Sequence, residues 1–434
     1  MRVNVETLVS ETLRNKANEI SSVPAEVPIA PKGRGGVSRR IMPALLAIGL
    51  ALVVGGVATA SYFGSGGSAR MLLLWGQPAS SSSSFALADI SGTDASVDGV
   101  QSLKGSLPAI AASDDGSRLF VAGQTDVVDN AVPSSDTLQV IDAASGNTTD
   151  EIPLFTPGGD LQRLQALNPL PRPTIVSSPA SDYVFVMQFT QGNESQQTFS
   201  VGTVDVGGGR LLPQSVPMGG CGGSYSLVAV GGPQVAAICF DTPRLMLITV
   251  GPDGGAQDLK TIDLNLPPAM ATDYFGSPLN LNRLAGGAMM PNGMVRVVTL
   301  GGSVVDINFQ SGTQALVGNL NIPRNAVVTT GQVASAGSGQ LVLGLRDIGT
   351  TDAVNSHSLA LLSGSPDFKN LTLLGVNGSP VRLLTSSPSM TSVFAITEGG
   401  ALLRVDVGSQ TVSEVSGLPG GQLLAGVGVD ASAQ

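Results

Sequence analysis

The sequence predicts an all-β body built from one repeated four-stranded unit, carried behind a single membrane-spanning helix. Three observations predict it. A tight-turn pattern, in which a strand ends, Asp or a small residue opens the turn and Gly closes it, recurs between Asp89 and Asp406 at a spacing of about 53 residues. Gly (56) and Pro (27) are abundant among the 434 residues, with no Gly-X-Y period, as short strands joined by tight turns require. Ile41 to Phe63 reads IMPALLAIGLALVVGGVATASYF without a charge, and about 20 apolar residues suffice to cross the hydrocarbon of a bilayer.

The elements follow in chain order. Residues 1–40 form a cytoplasmic tail. Within Asn4–Ile20 the apolar positions Val5, Leu8, Val9, Leu13, Ala17 and Ile20 keep helical spacing, with Asn4 as the cap. One amphipathic helix cannot make a core, so the stripe around Leu8 and Leu13 either meets a cytoplasmic partner or belongs to a solvated tail beside the membrane. Pro24, Pro28, Pro31, Gly33, Gly35 and Gly36 then make a tether. Lys32, Arg34, Arg39 and Arg40 precede the apolar run and only Arg70 follows it closely. The positive-inside bias therefore puts 1–40 in the cytoplasm and the rest outside, in a single-pass cell-membrane protein. This order of helix, tether, Arg pair and apolar segment resembles the N-terminal part of actinobacterial-type membrane-anchored proteins, relatives of anti-sigma factors included, without the His/Cys zinc motif of that type. Ala58-Thr59-Ala60 has the form of a signal-peptidase site, and Ser38-Arg39-Arg40 matches part of a twin-arginine signal. The long leading region and the length of the apolar run favour an uncleaved anchor over 41–63, followed by a Gly/Ser linker over 64–70.

Residues 71–434 are the extracytoplasmic domain. They carry 14 Lys or Arg against 24 Asp and 4 Glu. So acidic a body repels nucleic acid and anionic lipid, and an excess of Asp over Glu marks turns rather than helices. The recurrent turns are Ala88–Gly92, Ile141–Gly146, Val204–Gly208, Ile248–Gly254, Val305–Gly312, Leu361–Gly364 and Val405–Gly408. Hairpins precede them. The clearest is Ala109–Gly123 with its Asp-Asp-Gly turn, and Thr174–Gln188, Tyr225–Phe240, Leu284–Leu300, Ala326–Leu345 and Val381–Thr397 are further instances. Apolar runs such as Val184–Met187 and Val235–Ile238 suit strands buried on both faces. Four strands per unit and seven turns predict a seven-bladed β-propeller. Residues 71–104 supply three strands and Leu423–Val429 an orphan, so the two ends are expected to share a composite blade that leaves no edge open.

The stretch Ala112-Ser113-Asp114-Asp115-Gly116-Ser117-Arg118-Leu119-Phe120-Val121-Ala122, followed by Leu138–Gly146, resembles the repeat of YVTN/lactonase-type propellers. The unit ending at Asp406 resembles it less closely. The resemblance implies a seven-bladed fold and little chemistry, because such propellers serve as lactonases, amine dehydrogenase subunits, surface-layer modules and scaffolds.

Residue types for catalysis are scarce. His357 is the only histidine, which excludes His-cluster metal sites and leaves one candidate base for a nucleophile pair. It lies in a polar stretch with Asp352, Ser356 and Ser358, a grouping that ordinary loops also produce. Asp114, Asp115, Asp126 and Asp129 lack the spacing of a calcium loop and suit turns. No cofactor motif occurs, and the lone Trp75 departs from the tryptophan-rich docking motifs of quinoprotein propellers and suits the core. Cys221 and Cys239 are an even pair outside the membrane, which permits a disulfide. If Gly231–Gln234 turns the hairpin, Cys239 faces Ser226 and Cys221 lies about 16 Å further along the strand. Only a backward fold of Gly219–Gly223 brings the two together, so a bond and two buried thiols both stay open.

Two blade-to-blade connectors are longer and more apolar than turns require. One carries Leu161, Leu164, Leu167 and Leu170, the other Met270, Tyr274 and Phe275. Both precede a blade's first strand and are expected on one face near the channel mouth, as the preferred partner surface. The sequence thus favours a membrane-anchored, non-enzymatic module binding protein or glycan, or an accessory subunit of a membrane complex, with no cofactor, metal or nucleic acid. A propeller enzyme of the lactonase or dehydrogenase-subunit kind is the alternative.

Overall fold

The computed structural model describes residues 69–429 apart from 77–81, 105, 114, 125–136, 155–161, 164–174, 180, 192–196, 222–224, 274–275, 291, 324, 337–339, 349–356, 363–370, 375–380, 387–392 and 421. The tail with Leu8 and Leu13 and the apolar segment 41–63 lie outside the described residues, among which no helix is long and apolar enough to cross a membrane. Contacts divide the chain into Met1–Ser61 and Tyr62–Gln434, and the described residues of the second unit form β-strands and turns with one 3-10 turn.

Sheet A joins the two ends of the described chain. β1 (Ala69–Gly76), β2 (Ser82–Ser91) and β3 (Asp94–Lys104) pair in order, and β31 (Leu423–Val429) lies on the free side of β1. Strand β1 thus takes in the last two residues expected of the linker. Sheet B is β4 (Ser106–Ala112), β5 (Arg118–Gln124), β6 (Thr137–Asp142) and β7 (Thr148–Pro153). Sheet C holds β8 (Gln162–Arg163), β9 (Ile175–Ser177), β10 (Tyr183–Gln191), β11 (Gln197–Asp205) and β12 (Arg210–Pro217). Sheet D is β13 (Tyr225–Gly231), β14 (Gln234–Cys239), β15 (Arg244–Val250) and β16 (Ala256–Asp263), and a two-stranded ribbon follows, β17 (Met270–Thr272) with β18 (Pro278–Asn280). Sheet E is β19 (Leu284–Met289), β20 (Met294–Thr299), β21 (Ser303–Asn308) and β22 (Gln314–Asn319). Sheet F is β23 (Ala326–Ser335), β24 (Leu341–Asp347), β25 (His357–Leu362) and β26 (Leu371–Leu374). Sheet G is β27 (Val381–Ser386), β28 (Val393–Thr397), β29 (Leu402–Asp406) and β30 (Thr411–Glu414).

The expectation of a seven-bladed propeller is corrected: the all-β propeller holds six regular four-stranded blades. Sheet C departs from the pattern. Its long strand β10 meets two short partners on one side, β9 along Val184–Val186 and β8 along Phe189–Thr190, so the inner position is divided and the sheet has five strands.

The first strands touch in ring order, β31 to β4, β9, β13, β19, β23, β27 and back to β31. Hydrophobic burial follows the ring, with one apolar cluster between each pair of neighbouring sheets instead of a single core. Val184 and Val186 pack toward sheet B while Phe185 and Met187 pack toward sheet D. Val235 and Ala237 likewise face sheet C while Ala236 and Ile238 face sheet E. The uninterrupted apolar runs are therefore strands sandwiched on both faces. Trp75 lies in the cluster between sheets A and G. Where sheets D and E meet side chains must be small: a Cβ on Gly287 would fall 2.6 Å from the Arg296 carbonyl oxygen and 2.8 Å from Ile238 Cδ1.

Bulges shape each blade. The middle strand pair is regular in every sheet, whereas the inner pair of all six four-stranded blades contains a register shift. Such bulges increase right-handed twist, which turns an inner strand near the axis into an outer strand at the rim. Polar clasps span the joints as well. Arg70 Nη1 donates to the Ala143 carbonyl (2.9 Å), Arg118 pairs with Asp182 (2.7 Å), and Ser178 Oγ donates to the Gly232 carbonyl (2.6 Å). The joint of sheets G and A, where the chain ends meet, is held by Arg382, by Arg404 Nη1 on the Gly92 carbonyl (3.0 Å), and by Ser416 N on the Thr93 carbonyl (2.7 Å).

The recurrent turns among the described residues join the third and fourth strands, the outer hairpin of a blade, and Ser363 and Gly364 of the turn after Leu361 lie outside the described residues. Asp142, Asp205 and Asp406 accept a backbone N–H three residues on, at 2.7, 2.9 and 2.9 Å. In sheet E the turn residue is Asn308, bonded to Ser311 N at 2.9 Å, in place of the expected Asp306. The left-handed residue falls four positions after the capping side chain, at Gly146, Gly209 and Gly312 (φ 71°, 61° and 71°), and at Gln410 (φ 58°) in sheet G.

Candidate functional site

The ring has two unlike ends. Ala69 pairs with Ile90 and Arg70 with Val429, so the chain enters and leaves the propeller at the end that carries the outer-hairpin turns. The connectors between sheets, and the turns between second and third strands, lie at the opposite end. That connector end is the candidate site, and the inner strands bring their first residues to its mouth.

The inner strands β31, β4, β8, β9, β13, β19, β23 and β27 contain two charged residues, Arg163 on the short β8 and Arg382 on β27, and no Asp, Glu or His. Arg382 is the extra residue of the bulge between Val381 and Leu383. Its Nη2 donates to the carbonyls of Leu423 (2.7 Å) and Leu424 (2.5 Å) at the start of β31. Burial pushes its pKa down and the nearby Glu398 carboxylate opposes that shift. Glu398 lies in the turn after β28, where Gln422 Nε2 donates to its carbonyl at 3.0 Å.

Sheet F adds a buried amide. The bulge between Val328 and Val333 leaves Thr329–Gln332 outside the ladder with β24. Gln332 is 2% exposed and donates Nε2 to the Val381 carbonyl at 2.5 Å. Its Oε1 and the Thr329 hydroxyl are buried without a hydrogen-bond partner. Gly344 makes room for this side chain, since a Cβ there would collide with Gln332 Oε1. Further charges gather at this end: Arg283 bonds the Phe240 carbonyl (3.0 Å) and Asp241 (2.7 Å), and Arg346 at the end of β24 pairs in register with His357 at the start of β25.

His357 is thus the first residue of a strand rather than part of a preceding loop, while Asp352 and Ser356 lie outside the described residues. Asp115 accepts from the hydroxyls of Ser113 (2.6 Å) and Ser117 (2.8 Å) and from Ser117 N (3.0 Å). These bonds hold its carboxyl below the usual range and make it a turn residue. Among the described residues no three His, Cys, Asp or Glu side chains gather as a metal site.

Of the expected partner surface, Leu161, Leu164, Leu167, Tyr274 and Phe275 lie outside the described residues. Met270 stands on the ribbon and is 60% exposed. Ala271 and Leu279 on the ribbon's other side, and Leu281 just after it, pack against the cluster between sheets E and F, so this connector packs on the propeller and leaves Met270, Thr272, Pro278 and Asn280 to solvent. Arg382, Glu398 and Gln332 were not singled out from the sequence. The available signal was the arginine alone in an otherwise uncharged first strand.

Cys221 and Cys239 are joined, with Cα atoms 4.7 Å apart. A 3-10 turn over Gly219–Cys221 folds the segment back onto the sheet. A bulge between Ala229 and Gly231 shifts the register by one, so that Cys239 faces Tyr225 instead of Ser226. Beside the bond, Tyr225 is fully buried, donates its hydroxyl to the Ser200 carbonyl (3.0 Å) and meets Phe199 edge-on at 6.2 Å. Burial pushes its pKa up.

No family model matches the chain, and no curated protein does. Solved structures do. A periplasmic gluconolactonase of Pseudomonas aeruginosa is 15% identical with a TM-score of 0.55, over 84% of this chain and 99% of that one. A putative 6-phosphogluconolactonase of Bacteroides fragilis is 11% identical with a TM-score of 0.50, over 84% and 98%. A dihydro-heme d1 dehydrogenase, 12% identical with a TM-score of 0.45, is matched over 81% of this chain and only 64% of its own length. At such identities the likeness concerns the fold, and it is that of an all-β propeller.

Proposed function

We propose that the propeller is a small-molecule enzyme of the lactonase kind, acting on cyclic esters of sugar acids outside the cytoplasm. The observation that carries this reading is coextension. The ring overlaps two lactonase-type propellers over 98% and 99% of their length, so those chains are a propeller and little else, as this body is. Hydrolysis adds water across the ester carbonyl, breaks the ring C–O bond and leaves a hydroxy acid. The carbonyl oxygen gains negative charge on attack, and fixed donors stabilise it most where water is sparse. Arg382 at the connector-end mouth is a donor of that kind on the inner strands, and Glu398, whose carboxylate lies near it, would supply the base. The Cys221–Cys239 bond supports an oxidising compartment, in keeping with residues 41–63 as a single-pass anchor and 1–40 as the cytoplasmic end.

The test is purified full chain with glucono-δ-lactone, ester loss being followed by hydroxamate trapping. The expected result is saturable hydrolysis above the spontaneous rate that falls at least tenfold in Arg382→Met. Folded protein that gives no acceleration overturns the reading. A second reading, a binding module or accessory subunit for protein or glycan, is favoured by the lack of any carboxylate or imidazole on the inner strands and by the exposed Met270. It predicts a stoichiometric partner when the chain is purified from its native membrane.

A further inference from the structure

The inner strands of sheets F, G and A are joined by polar contacts that pass through one peptide unit. Gln332 leaves the bulge of β23 and donates Nε2 to the Val381 carbonyl at 2.5 Å. That carbonyl belongs to the peptide bond between Val381 and Arg382, at the bulge where β27 slips against β28. Arg382 in turn donates Nη2 to the carbonyls of Leu423 and Leu424 on β31. Gln332 therefore holds the stretch of backbone from which the arginine side chain springs. The amide is unfavourably placed for any purpose but that bond. Gln332 is 2% exposed, and its Oε1 is buried without a hydrogen-bond partner. Turning the amide over would set Oε1 against the Val381 carbonyl, oxygen to oxygen, so the orphan acceptor follows from the bond that Nε2 makes. A buried acceptor left unbonded is destabilising, and a methionine would fill similar space without one. Gly344 adds a second concession, since a glycine inside a strand weakens it and here a Cβ would collide with Gln332 Oε1. Two locally unfavourable features thus serve one bond, and its recipient is the peptide of Arg382.

We infer that Gln332 is a positioning residue for Arg382, fixing the guanidinium at the mouth where a lactone carbonyl would gain charge. The inference rests on the lactonase reading for its chemistry, though not for its geometry. The extra residue of a bulge is left unpaired by the ladder, so without the amide the peptide between Val381 and Arg382 is free to turn. An arginine side chain has many rotamers. Here its two ends are held separately, the guanidinium by Leu423 and Leu424 and the backbone by Gln332. A donor to an oxyanion acts through its preorganisation, so loosening Arg382 should weaken the transition state more than the bound substrate.

Two measurements on the full chain in detergent test this. The first needs no substrate: phenylglyoxal modification of Arg382 is followed by peptide mass spectrometry, with Arg118 on sheet B as the internal reference. Gln332→Met should speed modification of Arg382 at least threefold and leave Arg118 unchanged. Gly344→Ala, which displaces the same amide while Gln332 stays in the sequence, should do likewise and carries the test if the methionine variant misfolds. The second measurement is hydrolysis of glucono-δ-lactone. Gln332→Met should lower kcat at least fivefold with KM within twofold, and should cause no further loss in the Arg382→Met background, as expected of a residue that acts through another. Unchanged modification of Arg382 in a folded variant overturns the inference. So does an active wild type whose kcat is indifferent to Gln332→Met, or one in which the two substitutions multiply their losses. Faster modification in a chain without lactonase activity upholds the positioning and overturns the catalytic reading alone.

Discussion

The ion pair between Arg296 and Asp306 is the sharpest energetic claim the molecule makes. The residues face each other across β20 and β21, with Nε to Oδ1 at 2.6 Å and Nη2 to Oδ2 at 2.8 Å. They are only 6% and 9% exposed. Replacing Asp306 by Asn keeps the shape and removes the charge, leaving the guanidinium buried without its counter-ion. With charge centres about 4 Å apart and an effective dielectric near 20, the lost attraction is about 4 kcal/mol, within the roughly 3–5 kcal/mol observed when one partner of a buried pair is removed. A body of about 360 residues unfolds with an entropy of about 0.75 kcal/mol/K, so the melting temperature should fall by about 5 °C. Calorimetry and chemical denaturation of Asp306→Asn, Arg296→Met and Arg296→Met with Asp306→Leu form the assay. The apolar double variant should regain most of the loss, because burying two charges costs about as much as their attraction returns. A single-variant cost below about 1 kcal/mol, or costs that simply add in the double variant, would refute the reasoning.

Three further outcomes are expected. Removing 423–434 takes away the inner strand of sheet A together with the carbonyls that Arg382 holds, and should abolish cooperative unfolding; an unchanged calorimetric transition would show that closure contributes nothing. Gln410→Gly should stabilise by about 1 kcal/mol, since Gln410 holds a left-handed φ of 58° that costs a side-chain-bearing residue about that much. A denaturation midpoint unmoved by that change would count against it. The Ser145 hydroxyl and backbone amide hold the Asp142 carboxyl below its usual pKa. Its stabilising contribution is therefore present above the unfolded value near 4 and lost as pH falls through the folded value. Asp142→Asn keeps the turn acceptor and should leave stability at pH 7 nearly unchanged while flattening the acid limb; an identical acid profile would exclude the mechanism.

Much of the architecture is legible because local chemistry writes it. Asx-capped turns with a following glycine need particular residues at particular offsets, so outer hairpins such as 204–209 can be located from sequence. The doubly buried runs Val184–Met187 and Val235–Ile238 announce strands with apolar neighbours on both faces. The orphan strand Leu423–Val429 could be assigned to the first blade because an even-handed repeat leaves one strand missing there. Legibility ends where geometry over several residues decides. One bulge at Val230 shifts the facing partner of Cys239 by a residue, and a single 3-10 turn makes a disulfide from cysteines that extended chain would hold about 16 Å apart. The split inner position of sheet C, where β8 and β9 share β10, has no signature in the repeat.

By itself the sequence determined the class of fold, the place of its turns and closing strand, and the poverty of titratable groups, since each depends on residue type and spacing along the chain. Tertiary structure alone decided that Arg382 and Glu398 come together at one mouth, that Gln332 reaches the Val381 carbonyl, and that Arg296 finds Asp306. The reason is physical: side chains far apart in sequence are brought together by bulges and ring closure, and neither is encoded in the periodicity of any one strand.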